Sequence, residues 1–348
     1  MRAGRGLYER GQGASEPLQW RQQPGPARRP SRARMSCIVK VYCEQGLIGR
    51  GPRRACGPAR RRLTNDPARP RRSAPGLCLA RPDALKNTMT DFDARMQDLL
   101  TLSHALGDPG PQWAILGEGN TSTRVDAETF LVKASGSQLG TLDSSKVAHV
   151  RFAPVLDALS GGQRLDDAQV KELLAQATLG PAGAVPSTET LMHAFLLTLP
   201  GAHFVGHTHV VSINGLMCSQ RGWAFMQSGR RLFPDEIVVC GVAPCCVPYV
   251  NPGIPLARAV QTAAAAYLDT WGTAPKTIYL QNHGFIALGR SAGEVHNIHQ
   301  MADKAARILA AALAIGEPSA LTPENVQRIY TWPAEHYRQR ALGLSTDK

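Results

Sequence analysis

The feature that most limits what this chain can fold into is a change of composition at Met89. Upstream, stretches such as RQQPGPARRPSRARM, RGPRRACGPARRRL and DPARPRRSAPG are dominated by Pro, Gly and Arg and carry no periodic apolar pattern. Such a segment cannot bury enough apolar surface to offset the entropy of ordering it. Only CIVKVYC within it reads as a strand. Downstream, MTDFDARMQDLLTLSHAL opens an acidic stretch with helical spacing. Residues 1–88 are therefore expected to be a disordered extension, and residues 89–348 the folded domain.

Charge divides at the same place. The chain carries a formal net charge of +12, but residues 1–88 hold 20 Lys and Arg against 5 Asp and Glu, and residues 89–348 hold 19 against 22. The basic excess belongs to the extension. It fits three readings: a nucleic-acid-binding arm, a transit peptide, or a start upstream of a native one at Met89. Its many Pro and Gly residues break the amphipathic helix a transit peptide needs, and nucleic acid is not an expected partner of the folded part. No window approaches ~18 uninterrupted apolar residues, so no membrane span is expected. None of the eight cysteines forms C-x-x-C and the N-terminus has no apolar signal run, which together point to reduced thiols and a cytoplasmic protein.

Within residues 89–348 the periodicity alternates. FDARMQDLLTLSHALG, DDAQVKELLAQA, STETLMHAFLLTL (with Ser187 as N-cap), PLARAVQTAAAAYLDTW and SAGEVHNIHQMADKAARILAAALAIG predict helices. WAILG, TFLVKAS, the run around GHTH, EIVVCG, and the pair TIYLQ and FIALG predict strands. Alternation of this kind argues for an α/β architecture with helices covering a sheet.

The strand AHFVGHTHVVSING carries imidazoles where a core strand would carry Val or Ile. His207 and His209 stand at i and i+2, which on a strand places both on one face about 6.6 Å apart. Two such rings can converge on one ion; the bland alternative is a pair of satisfied core histidines. His203 shares the parity but lies too far along the strand. His283, in the turn QNHG, offers a third nitrogen, and three neutral imidazoles with an open position form the catalytic rather than the structural zinc arrangement. Glu189 falls in the first turn of a helix, where a glutamate is ordinary in itself. The same helix start offers free N–H groups beside Ser187 and Thr188, suited to an anion. His193, one turn on, reads as a supporting or locally bonded residue. GEGNTSTR imitates a dinucleotide fingerprint, but Ser122 occupies the third glycine position and a strand follows, so a Rossmann reading fails. With KASG it forms a pair of small-residue loops able to cradle a phosphate or carboxylate.

Taken in order, GEGNTS, KASG, PSTETLMH, GHTH and QNHG resemble the class II aldolase/adducin family, over about residues 95–315. The resemblance implies a three-layer αβα sandwich around a mainly antiparallel sheet, commonly tetrameric. It implies one Zn2+ per chain on His207, His209 and His283, with Glu189 as the acid/base residue. Asn120, Ser135, Gly136, Ser187 and Thr188 fall on positions that bind the substrate phosphate. The implied activity is a zinc-dependent aldehyde-lyase: retro-aldol cleavage of a small phosphorylated or acidic sugar through a metal-stabilised enediolate. A same-fold 4-epimerase, dehydratase or decarboxylase uses the same chemistry, and an adducin-head-like, non-catalytic interaction module is the alternative of another class. One departure stands out. The segment MCSQRGWAFMQSGRRLFPDE lacks the tyrosine that aldolases of the family use, and Tyr249 lies further on. Arg230 and Arg231 are in a position to meet an anion or to sit in a solvated loop.

Overall fold

The computed structural model describes residues 82–161, 165–180, 184–335 and 337. The expectations for residues 1–81, including the CIVKVYC strand, lie outside the described residues.

Helix α1 (Pro82–Leu106) runs through Met89 and buries Leu99, Leu102 and Leu106, spaced to share one face. WAILG, expected as a strand, is a loop. Gln112 and Leu116 take left-handed backbone (φ 54 and 52), and Ile115 and Leu116 are exposed. Only Trp113 and Ala114 of that apolar run enter the core.

The chain continues through β1 (Asn120–Arg124), β2 (Thr129–Lys133), β3 (Val147–Arg151) and α2 (Phe152–Ser160). Next come α3 (Asp167–Ala177), opened by an Asp166/Gln169 capping box, then β4 (Thr178–Leu179), α4 (Thr190–Leu196) and β5 (Phe204–Thr208). Helices α5 (Val211–Met217), α6 (Gln220–Gln227) and α7 (Pro234–Cys240) lead to β6 (Cys245–Val247) and α8 (Ile254–Trp271). The hairpin β7 (Thr277–Leu280) and β8 (Gly284–Gly289) precedes α9 (Ala292–Ile315) and α10 (Pro323–Thr331). EIVVCG, expected as a strand, is α7. Pro234 in the first turn, with Asp235 and Glu236 behind it, supplies helix-start chemistry that outweighs a short apolar run.

The strands form an eight-stranded sheet in the order β4-β3-β2-β1-β5-β8-β7-β6, antiparallel throughout except for the β6–β7 pair. On one face Phe130, Val132, Val205 and Ile286 pack with α2, α4 and α8 residues such as Val155, Leu191 and Val260. On the other, Phe204, Phe285 and Ala287 pack with α1, α5 and α9 residues such as Leu106, Ile213 and Ile298. This is the expected α/β/α sandwich. Strand β5 lies at its centre with all five residues buried, and the register places His207 between Asn120 of β1 and Ile286 of β8. No helix among the described residues is long and apolar enough to cross a membrane.

Candidate metal centre

Alternation along β5 sends Phe204, Gly206 and Thr208 toward α1 and α9, and Val205 and His207 toward the opposite face. His207 is wholly buried, and its Nδ1–H donates to the Phe285 carbonyl at 3.0 Å. That bond fixes the tautomer and leaves Nε2 buried with no hydrogen-bond partner. His209 follows the strand end, its backbone N–H bonded to the Trp113 carbonyl at 2.9 Å. His283 sits in the β7–β8 turn behind Asn282, whose φ is 52, and its carbonyl accepts Asn214 Nδ2–H at 3.1 Å. The three ring centroids stand 5.1 to 5.3 Å apart, and one nitrogen from each ring lies within 4.8 Å of the others. Gly284 makes this convergence possible. A Cβ there would come within 2.7 Å of the Thr208 carbonyl and 2.9 Å of His207 Cε1. An unpartnered buried nitrogen in a cluster of three imidazoles fits a zinc ion. His203 is exposed and takes no part.

Glu189 faces the cluster, with Oε1 3.4 Å from His283 Nε2 and Oε2 3.7 Å from His207 Nε2. It stands just before α4. The helix begins at Thr190, later than expected, and Ser187 does not cap it. Pro186 is bridged to Ala134, so the chain stays extended there and turns only over Ser187–Glu189.

Behind Glu189 runs a buried relay. Asn120 Nδ2–H donates to Glu189 Oε2 at 2.5 Å, Asn120 Oδ1 contacts His193 Nε2, and His193 Nδ1 contacts Ser122 Oγ at 2.7 Å. Each direction follows from the one before. A carboxylate only accepts, so the amide turns its nitrogen to Glu189 and its oxygen to His193. Nε2 of His193 must then carry the proton, and Nδ1 accepts from Ser122.

Burial pushes His207 down to about 4 and His193 down to about 3, and lowers His209 as well, so these three rings are held toward the neutral form, the one in which imidazole binds metals. Burial works against ionisation of Glu189. In the acid range where Glu189 would take up a proton, His207 is itself charged, and that charge, with hydrogen bonds from His283 and Asn120, outweighs burial and holds the carboxyl well below its usual range.

The KASG loop starts beside the extended segment that leads to Glu189. The antiparallel Ala134–Pro186 bridge and a 2.8 Å bond from Ser135 N–H to the Val185 carbonyl set Ser135 beside Val185 and bring Lys133, rather than the exposed, left-handed Gly136 (φ 76), toward Ser187. Ser187 Oγ is buried without a partner. Lys133, which sequence reasoning passed over, is almost fully buried. Burial lowers its pKa and the Glu189 charge opposes that shift. A lysine ending a strand whose other residues are apolar or Thr was the available sign. Arg231 is not an anion contact: it is wholly buried, paired to Glu236 at 2.9 Å and to the Gly241 and Cys240 carbonyls. Arg230 lies over Phe225 with Glu317 at 3.9 Å. Tyr249 is exposed, its backbone N–H on the Gln281 side chain at 3.2 Å.

Residues 97–310 match the family described as Class II Aldolase and Adducin N-terminal domain. The chain belongs to the class II aldolase/adducin family. Among solved class II aldolase folds, YgbL of Escherichia coli, a candidate aldolase/epimerase/decarboxylase, is 21% identical with a TM-score of 0.51, covering 70% of this chain and 100% of that one. An L-fuculose 1-phosphate aldolase is 17% identical with a TM-score of 0.50, over 70% of this chain and 96% of its own. In Bacillus subtilis, YuxG, named as an uncharacterized oxidoreductase, is 28% identical over 183 residues, 47% of this chain and 24% of that protein. The chain thus spans about a quarter of the length of that curated relative.

Proposed function

We propose that the folded part, residues 89–348, is a zinc-dependent aldehyde-lyase that cleaves a small phosphorylated or acidic sugar. One observation carries the reading: a buried, unpartnered His207 Nε2 in a three-imidazole cluster with the Glu189 carboxylate 3.4 to 3.7 Å from its nitrogens. His207, His209 and His283 would hold the ion, which when bound supplies Lewis-acid stabilisation of the charge developing as a bond beside a carbonyl breaks. Glu189, held as a carboxylate by Asn120, moves the proton between the reacting carbon and hydroxyl. Ser135, Gly136, Ser187 and Thr188, with Asn120 at the edge, take the substrate's anionic end and orient the bond to be broken. Lys133 supplies positive charge behind them.

Family membership and the names of the fold neighbours support a sugar-directed lyase, and leave a 4-epimerase, dehydratase or decarboxylase on the same residues as the nearest alternative. A non-catalytic interaction module fits less well, since it has no use for a buried imidazole nitrogen left unpaired. The proposed assembly is the homotetramer common in the family, in the cytoplasm.

Metal analysis of the purified full chain is expected to give close to one zinc per chain, falling sharply in His207→Ala; a metal-free wild type would sink the reading. Screening phosphorylated ketoses for aldehyde release then tests the reaction. Glu189→Gln is expected to lower turnover at least a hundredfold, within the range for loss of a general acid–base group. Unchanged turnover would remove Glu189 from its role.

A further inference from the structure

Glu118, in the loop between α1 and β1, is assigned no role by the family motifs or by the reading above, yet it is built into the metal centre. Its Oε1 lies 3.7 Å from His209 Nδ1. The other oxygen is already committed: Oε2 accepts Ile115 N–H at 3.0 Å, while the Glu118 N–H closes the turn on the Ile115 carbonyl at 3.1 Å.

The loop that carries this carboxylate has little freedom to move. Gln112 and Leu116 are left-handed, a strained conformation for side-chain-bearing residues. Gly119 is left-handed too, and a Cβ there would stand 2.5 Å from the His207 carbonyl. At the loop's other end the Trp113 carbonyl accepts the His209 N–H. The segment is thus pressed onto the two histidines at both ends, and the Glu118 carboxylate is carried to the back of His209. His207 has a backbone carbonyl to fix its tautomer; His209 has Glu118.

We propose that Glu118 is a positioning residue for the metal centre: its carboxylate accepts the Nδ1 proton of His209 and so presents Nε2 to the ion. The inference rests on the metal reading above. A histidine ligand whose outer nitrogen donates to a carboxylate is held in one tautomer and one ring orientation and is a better donor, and loss of such a partner typically weakens metal binding 10–100-fold.

Zinc affinity of the full chain, measured by competition with a chromophoric chelator, tests this in wild type, Glu118→Ala and Glu118→Gln. Both variants are expected to bind zinc 10–100-fold more weakly. Glutamine cannot substitute, because both carboxylate oxygens act as acceptors and an amide has only one. A second readout separates this role from general loosening of the loop: nitrogen-15 spectra of histidine-labelled, metal-free protein. Wild type is expected to show His209, assigned by its absence in His209→Ala, as the Nδ1–H tautomer, and Glu118→Ala a mixture. Wild-type zinc affinity in Glu118→Ala, or an unchanged His209 tautomer there, would overturn the proposal while leaving the metal centre intact. A wild type that takes up no zinc would overturn the metal reading, and this inference with it.

Discussion

His193 decides how the carboxylate of the centre is held. It is wholly buried between Ser122 and Asn120, and its two nitrogens dictate which way the Asn120 amide faces. Replacing it with Leu strands the Ser122 hydroxyl and the Asn120 oxygen in the core, at about 1–3 kcal/mol for each unsatisfied group. Urea unfolding of His193→Leu is expected to show that loss, and turnover on any substrate found by screening should fall with it. His193→Gln, whose amide can donate to Asn120, should recover part of both. At this scale the four groups of the centre were legible in the residues. An i, i+2 histidine pair on a strand, a histidine before glycine in a turn and a glutamate at a helix start each announce themselves by local pattern. The relay was not legible. Ser122 and His193 meet only because β1 pairs with β5 and α4 covers that face, a contact that no local spacing encodes.

Strand β5 and the elements on its two faces set the geometry of the histidines. Gly206 lets α1 and α9 approach the sheet: a Cβ there would meet Leu106 at 2.8 Å, Val295 at 2.9 Å and His299 at 3.0 Å. Gly206→Val is expected to destabilise the fold by about 1–3 kcal/mol or more through overpacking, seen as a lower thermal midpoint and weaker zinc uptake. On α9, Asp303 accepts Trp113 Nε1–H at 3.0 Å and Ser212 Oγ–H at 2.6 Å, and pairs with Arg307 at 2.8 Å. Since the Trp113 carbonyl holds the His209 N–H, Asp303→Ala is expected to cost about 1–3 kcal/mol and to weaken zinc binding without touching a ligand. Elements with long periodic patterns were legible, α8 and α9 above all. Short apolar runs were not: WAILG became a loop and EIVVCG a helix, because four or five apolar residues fit either period.

For the whole molecule the buried histidines make stability depend on pH. Burial lowers His207 to about 4, and His193 and His299 to about 3, from an ordinary 6.5. Below that ordinary value the unfolded chain takes up protons that the folded, metal-free protein refuses, so stability rises with pH across this window. The depressed Glu189 adds in the same direction at lower pH. Metal-free protein should therefore lose thermal stability steadily as pH falls from about 6.5 toward 4, and His193→Gln should flatten that slope. A midpoint independent of pH across the window would contradict the burial of these rings. The sequence by itself determined the α/β class and the family motifs, and singled out the four side chains that the structure brings together, because these depend on residue type and on spacing within one element. Only the tertiary structure decided the relay behind Glu189, the burial of Lys133 and the seat of Glu118 behind His209. Each depends on which strands pair, in which register, and on what a loop is forced to touch once they do.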